Sequence, residues 1–185
     1  MAYKYYLELL RKGLHEEFFE EMRQGMLPFF NDTTYGRSIL ECSSFIASSS
    51  FEDPSVVGQG FLPRLSGSTA EFMSIWTLMM IGPSPFFISE GGNLVFGFKP
   101  SIPSWLLRHP ATADGFYSIQ FKFFTSIDVV YYTKTMRNLY GTRPQRYTVG
   151  LRDGSRLDID GAILPTDLAL RLRRVVFVQF IHAYF

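Results

Sequence analysis

The feature that most constrains the fold is a change of hydrophobic rhythm near Gly82 and Pro83. Before it, apolar residues recur every three or four positions, the period of helices with one buried face. After it they alternate, as in strands that turn one side to a core. A chain that confines each rhythm to its own half is expected to build α+β structure.

In the first half, Tyr6, Leu7, Leu10, Leu14, Phe18 and Met22 predict one amphipathic helix from Tyr3 to about Met22, ended by Gly25 and Pro28. Asn31 to Gly36 reads as a polar loop. A second helix is expected from Arg37 to about Ser48, with Arg37 placed four residues before Glu41 for a helical ion pair. A third starts at Ser68 and carries Phe72, Ile75, Trp76, Met79 and Met80 toward a core, until Gly82 and Pro83 stop it.

The second half is read as antiparallel β structure. Leu94, Phe96 and Phe98 alternate with Val95, Gly97 and Lys99, and Phe121 to Thr133 has the composition of one or two strands. Tyr147, Val149 and Leu151, then Asp153-Gly154, then Leu157 and Ile159, predict a hairpin over 146–160. Val175 to Phe185 reads as a last strand, and Arg171, Arg173 and Arg174 as a solvated turn before it. Two domains are expected, 1–82 helical and 83–185 β, with the seam near Gly82 to Pro85.

Composition removes several function classes. With 46% hydrophobic and 19% charged residues the chain is expected to fold, and a formal net charge of +1 gives no reason to expect nucleic acid or an anionic membrane as partner. Cys42 is the only cysteine, so an intrachain disulfide and a cysteine metal cluster are excluded, which fits a cytoplasmic protein. His15, His109 and His182 have no metal-site spacing and are read as structural or exposed. The central apolar stretch Ile75 to Ile81 falls far short of the roughly 20 residues that span a bilayer, and Glu8 breaks any secretory signal.

Arg64 to Phe72, RLSGSTAEF, is the segment with chemistry in it. Ser66, Gly67 and Ser68 can present amides and hydroxyls to an anion at a helix entrance, where aligned peptide dipoles favour negative charge. Ser68 followed three residues later by Glu71 is also an ordinary capping box, in which each side chain satisfies the other's free backbone N–H. Three helices with broad apolar faces cannot close a bundle alone, and Met1 precedes a helix without a capping residue. Both features are expected of the end of a longer protein.

The order RSILECSSFIASSSFEDP, GQGFLPRLSGSTAEFMSIWTLMMIGPSPF, LVFGFKPSIPSWLL and YTVGLRDGSRLDIDGAILP resembles the C-terminal part of cellobiose and chitobiose phosphorylases and their glycosyltransferase-like relatives. The resemblance runs from about Phe30 to Phe185. It implies the last helices of an (α/α)6 barrel followed by an antiparallel β-sandwich. It also implies inverting phosphorolysis of a β-linked glucoside, with an oligosaccharide substrate, inorganic phosphate as co-substrate and no cofactor. Ser66 and Gly67 match the motif that binds phosphate there, with Ser68 and Arg64 as further contacts and Glu41 as a candidate for sugar hydroxyls. Arg64 reads equally as an ion-pair residue, and Glu41 is better explained as a helix-surface or pocket-rim residue. The catalytic acid and the phosphate-contacting histidine of those enzymes have no counterpart here. The acid must then come from upstream barrel sequence, and a homodimer is compatible with the resemblance.

Two other classes fit the same residues. The β portion can be a sugar-binding module in which Trp105, Tyr131 and Tyr132 stack on pyranose rings, or a structural brace in which those aromatics are core.

Overall fold

The computed structural model describes residues 2–38, 41, 43–63, 69–109, 114–175 and 177–185. The chain divides into two compact units, Met1–Trp76 and Thr77–Phe185.

The first unit opens with two helices, α1 (Ala2–Arg11) and α2 (His15–Gly25), where the sequence pattern predicts one. The apolar stripe is continuous, but Gly13 adopts φ +75°, a left-handed conformation that an L side chain resists. Its N–H and that of Leu14 close the end of α1 by donating to the carbonyls of Leu10 and Leu9. The two helices then pack closely: a Cβ placed on Gly25 would fall 1.7 Å from the Tyr6 hydroxyl. Leu7, Leu10, Phe18, Phe19 and Met22 fill the seam.

The expected loop at 31–36 holds a further helical turn, α3 (Asp32–Tyr35). Asn31 caps it by accepting from the amides of Thr33 and Thr34, and Gly36 ends it at φ +68°. The helix expected over 37–48 is absent among the described residues. Ser43–Ile46 is a strand, β1, which pairs antiparallel with β2 (Gly60–Pro63). The buried Tyr35 hydroxyl fixes this turn by donating to the Glu41 carbonyl at 2.7 Å while accepting from the Ser43 amide at 3.0 Å. The Arg37–Glu41 pair forms at 2.6 Å all the same, without the helix that suggested it. Helix α4 (Thr69–Met80) follows. Ile75 and Met80 are buried on it, whereas Phe72 and Met73 are 46% and 65% exposed.

The second unit is organised by one five-stranded sheet in the order β5-β6-β9-β7-β8, with strands Tyr117–Phe123, Ile127–Thr133, Val178–Tyr184, Arg146–Leu151 and Arg156–Asp160 respectively. Both hairpins are antiparallel and β9 pairs antiparallel with β7, but β9 runs parallel to β6. The sheet is therefore mixed, not antiparallel. The predicted hairpin at 146–160 is present, with Tyr147 opposite Ile159 and Val149 opposite Leu157. A small hairpin, β3 (Phe86–Ile88) with β4 (Leu94–Phe96), lies beside it, and Phe96 bridges to Leu164. Of the arginines read as a solvated turn, Arg171 and Arg173 belong to α5 (Thr166–Arg173) and Arg174 is its C-cap; Leu168, Ala169 and Leu172 of this helix are buried at helical spacing after Pro165.

These elements correct the barrel expectation. Among the described residues there are five α-helices, one mixed five-stranded sheet and two small hairpin sheets, which is not the end of an (α/α)6 barrel. The barrel reading needed a long helix over 37–48, and the serine- and β-rich segment there goes into strand β1 instead.

The core of the second unit is aromatic. Phe98, fully buried, has the rings of Phe96, Tyr131 and Tyr147 at 4.8, 5.3 and 6.3 Å between centroids. Its hydroxyls are satisfied: Tyr131 donates to the Met80 carbonyl at 2.7 Å, and Tyr147 donates to the Ala162 carbonyl while accepting from the Phe98 amide. Burial holds both phenols well above their ordinary pKa.

Candidate functional site

The predicted phosphate contacts Arg64, Ser66, Gly67 and Ser68 lie outside the described residues. What is described is the helix they lead into. α4 begins at Thr69, and Glu71 sits in its first turn. One carboxylate oxygen of Glu71 is buried and has no hydrogen-bond partner among the described residues. The capping-box partner assigned to it, Ser68, is outside that set. A cavity of about 450 Å³ adjoins Glu71, with Ala70 and Ser74 on one wall and Lys4, Leu7, Glu8 and Arg11 of α1 on the other.

Glu41, the candidate for sugar hydroxyls, lies at the turn before β1. Its carboxylate is held by Arg37 Nη1, and the Nε of the same guanidinium donates to the Gly60 carbonyl at 2.7 Å. The pair thus braces the start of β2 against the turn before β1. Its side chain is still 39% exposed, so one face of the carboxylate reaches solvent.

The three aromatics considered as sugar platforms separate. Tyr131 is fully buried in the core and offers no face. Trp105 is half-buried in a single 3-10 turn, Ser104–Leu106. Tyr132, one residue along from Tyr131, projects from the opposite side of the sheet and is half-buried.

That outer side is the feature the sequence reading missed. Tyr132 on β6 is in register with Tyr184 on β9, which is in register with Arg146 on β7 and through it with Asp160 on β8. One step along, Val130, His182, Thr148 and Asp158 line up, and then Asp128, Phe180, Gly150 and Arg156. Tyr132 and Tyr184 stack with an interplanar angle of 19°, and the Arg146 guanidinium lies 4.3 Å over the Tyr184 ring. Phe180 covers Gly150 so closely that a Cβ there would fall 2.0 Å from the ring. Burial, with Arg156 adding to it, lowers the pKa of His182. The period-2 pattern of VQFIHAY already placed Phe180, His182 and Tyr184 on one face. Their cross-strand neighbours required the strand order.

At the end of this face a cavity of about 620 Å³ opens between the close of β6 and the start of β7. Lys134, Arg137 and Arg146 line it together with Gln145, Asp160 and the rings of Phe116 and Tyr184. Among the described residues, none of the three cations is ion-paired: the pairs present are Glu8–Arg11, Arg37–Glu41 and Lys122–Asp128.

No described helix is long and apolar enough to cross a membrane. Comparison with protein families and with curated protein sequences gave no match.

Proposed function

We propose that this chain is the C-terminal part of an inverting glycoside phosphorylase acting on β-linked glucosides. In this reading Ser66 and Gly67, with Ser68 and Arg64, hold inorganic phosphate at the entrance of α4. The phosphate oxygen attacks the anomeric carbon as the glycosidic C–O bond breaks, and a carboxylic acid from sequence outside this chain protonates the departing oxygen. Fixed amides suit the phosphate position, because they stabilise a dianion without the reorganisation a mobile side chain needs.

The observation that carries the reading is where α4 starts. Its first residue, Thr69, follows RLSGS directly, so the segment that resembles the phosphate-binding motif leads into a twelve-residue helix. The exposed apolar side chains of the first unit support the part of the reading that needs further sequence. Phe45, Leu62 and Met73 are 64%, 61% and 65% exposed, and Phe51 and Phe61 add to them. Apolar side chains exposed in such number usually meet a protein surface.

The test is phosphorolysis of cellobiose or β-glucan oligomers. The chain alone is expected to release no glucose 1-phosphate, and the chain translated together with its upstream reading frame is expected to release it. Ser66→Ala in that longer protein should raise the KM for phosphate more than the KM for the glycoside. Glucose 1-phosphate from the chain alone would overturn the reading, as would a longer protein that only hydrolyses its substrate.

A further inference from the structure

We infer that the cavity at the end of the five-stranded sheet is a binding site for a phosphorylated sugar. The inference stands apart from the phosphorylase reading, because none of its residues belongs to RLSGSTAEF.

Charge selects an anion. Lys134 and Arg137 stand on the exposed segment after β6, and Arg146 begins β7, so three cationic side chains from two strand ends converge on one opening against one acidic side chain, Asp160. Like charges gathered without ion-paired partners repel one another, and a bound anion relieves that repulsion. The Arg146 guanidinium is already oriented over the Tyr184 ring, and a planar fork held in that way keeps its edge for two parallel bonds to phosphate oxygens.

Size and lining select what the anion is attached to. At about 620 Å³ the space is far larger than a phosphate ion and falls within the range of organic-ligand pockets, about 300–1,000 Å³. Its walls are mostly polar. Asp160 and Gln145 offer acceptors and a donor suited to hydroxyl groups, and Thr135 adds another hydroxyl beside them. Tyr184 is already occupied by Tyr132 at 5.2 Å and by Arg146, so the lining gives no free ring face of Tyr184 for a nucleobase to stack on. A polyhydroxylated body with a phosphate matches this lining better than a flat base does.

The frame is fixed before any ligand arrives. The Gln145 amide donates to the Tyr184 carbonyl at 2.7 Å and the Phe185 amide to the Tyr132 carbonyl at 2.8 Å. Thr133, buried at the end of β6, donates through Oγ1 to the Thr135 carbonyl at 3.0 Å and bends the basic segment back over the opening.

The experiment is calorimetric titration of the full chain with glucose 6-phosphate, with glucose and inorganic phosphate as controls. Glucose 6-phosphate is not the product of the proposed phosphorolysis, so failure of one reading does not entail failure of the other. Saturable binding of glucose 6-phosphate is expected, at least about tenfold tighter than either control, and weakening as salt is added. The double variant Lys134→Ala/Arg137→Ala lies on an exposed segment and should fold; it should lose at least about tenfold in affinity. Asp160→Asn should weaken glucose 6-phosphate relative to inorganic phosphate, because it removes an acceptor for sugar hydroxyls while also removing the negative side chain that opposes the anion. Amide chemical shifts that move at 133–137 and 145–146 on titration would support the site without any variant. The inference is overturned if glucose 6-phosphate binds no better than inorganic phosphate, if AMP binds more tightly than the sugar phosphate, or if the double variant binds as the parent chain does. It is also overturned if binding is lost on Ser66→Ala alone.

Discussion

The two units of this chain close over their aromatic residues to different extents. In the second, Phe96, Phe98, Tyr131 and Tyr147 are shut into a core by strands on one side and by β4 and α5, and even their hydroxyls are bonded inside it. In the first, α1 and α2 bury Phe18 and Phe19 between them, yet Phe45, Phe51, Phe61 and Phe72 remain open to solvent. Both units draw on the same kind of residue. The difference is supply of covering surface: a five-stranded sheet presents a wide face that a helix and a hairpin can close over, whereas a two-stranded hairpin and short helices have no second layer to offer.

The largest expected effect tests whether the second unit stands on that core. Tyr131→Ala removes a fully buried ring and leaves the Met80 carbonyl without its hydroxyl donor, so it should cost the second unit about 3–5 kcal/mol, read as a lower urea midpoint. A loss under about 1 kcal/mol would mean that the aromatic cluster is not what closes this unit.

Gly150→Ala comes next. The new methyl would sit 2.0 Å from the Phe180 ring, which must leave the position where Arg156 stands over it at 5.6 Å. About 1–3 kcal/mol of destabilisation is expected. The double variant Gly150→Ala/Phe180→Ala should recover part of it, since the clash is then gone; no recovery would place the cost in the backbone instead.

Much of this contrast was legible in the sequence. Alternation at Tyr147, Val149 and Leu151 with Asp153-Gly154 between strands gave the hairpin at 146–160, and Gly82, at φ +103°, ended α4 where expected. These signals are local, and local chemistry decides them. The parallel pairing of β6 with β9 joins segments about fifty residues apart and has no local signature. Arg37 and Glu41 misled because the four-residue spacing of an ion pair is met as well by a bent loop tied to β2 as by a helix. The site divided in the same way. The helix after RLSGS was legible, its phosphate contacts fall outside the described residues, and the basic cavity needed strand order to bring Arg146 beside Lys134 and Arg137.

Smaller effects are expected where side chains are already exposed. Phe45 lies opposite Phe61 in the β1–β2 hairpin, and both face solvent. Phe45→Ser/Phe61→Ser should change the stability of the isolated chain by no more than about 1 kcal/mol while reducing its tendency to self-associate, measured by light scattering. A loss comparable to that of Tyr131→Ala would break the contrast, because it would show those rings to be core.

The smallest effect separates the two faces of the sheet. His182 lies on the outer face between Tyr132 and Phe180, and burial, then Arg156, lowers its pKa below the ordinary 6.5. The unfolded chain therefore takes up a proton at a higher pH than the folded one does. Stability contributed by the neutral ring is complete above about pH 6.5 and is lost as pH falls through that value toward the folded pKa. His15, also lowered chiefly by burial, acts with the same sign in the first unit. His182→Gln should flatten the decline of the urea midpoint between about pH 7.5 and 5.5 without abolishing it, because His15 still titrates. An unchanged slope would mean that the outer face is wet enough to protonate freely. The aromatic row would then be a loose surface, in contrast to the closed core on the other side of the same strands.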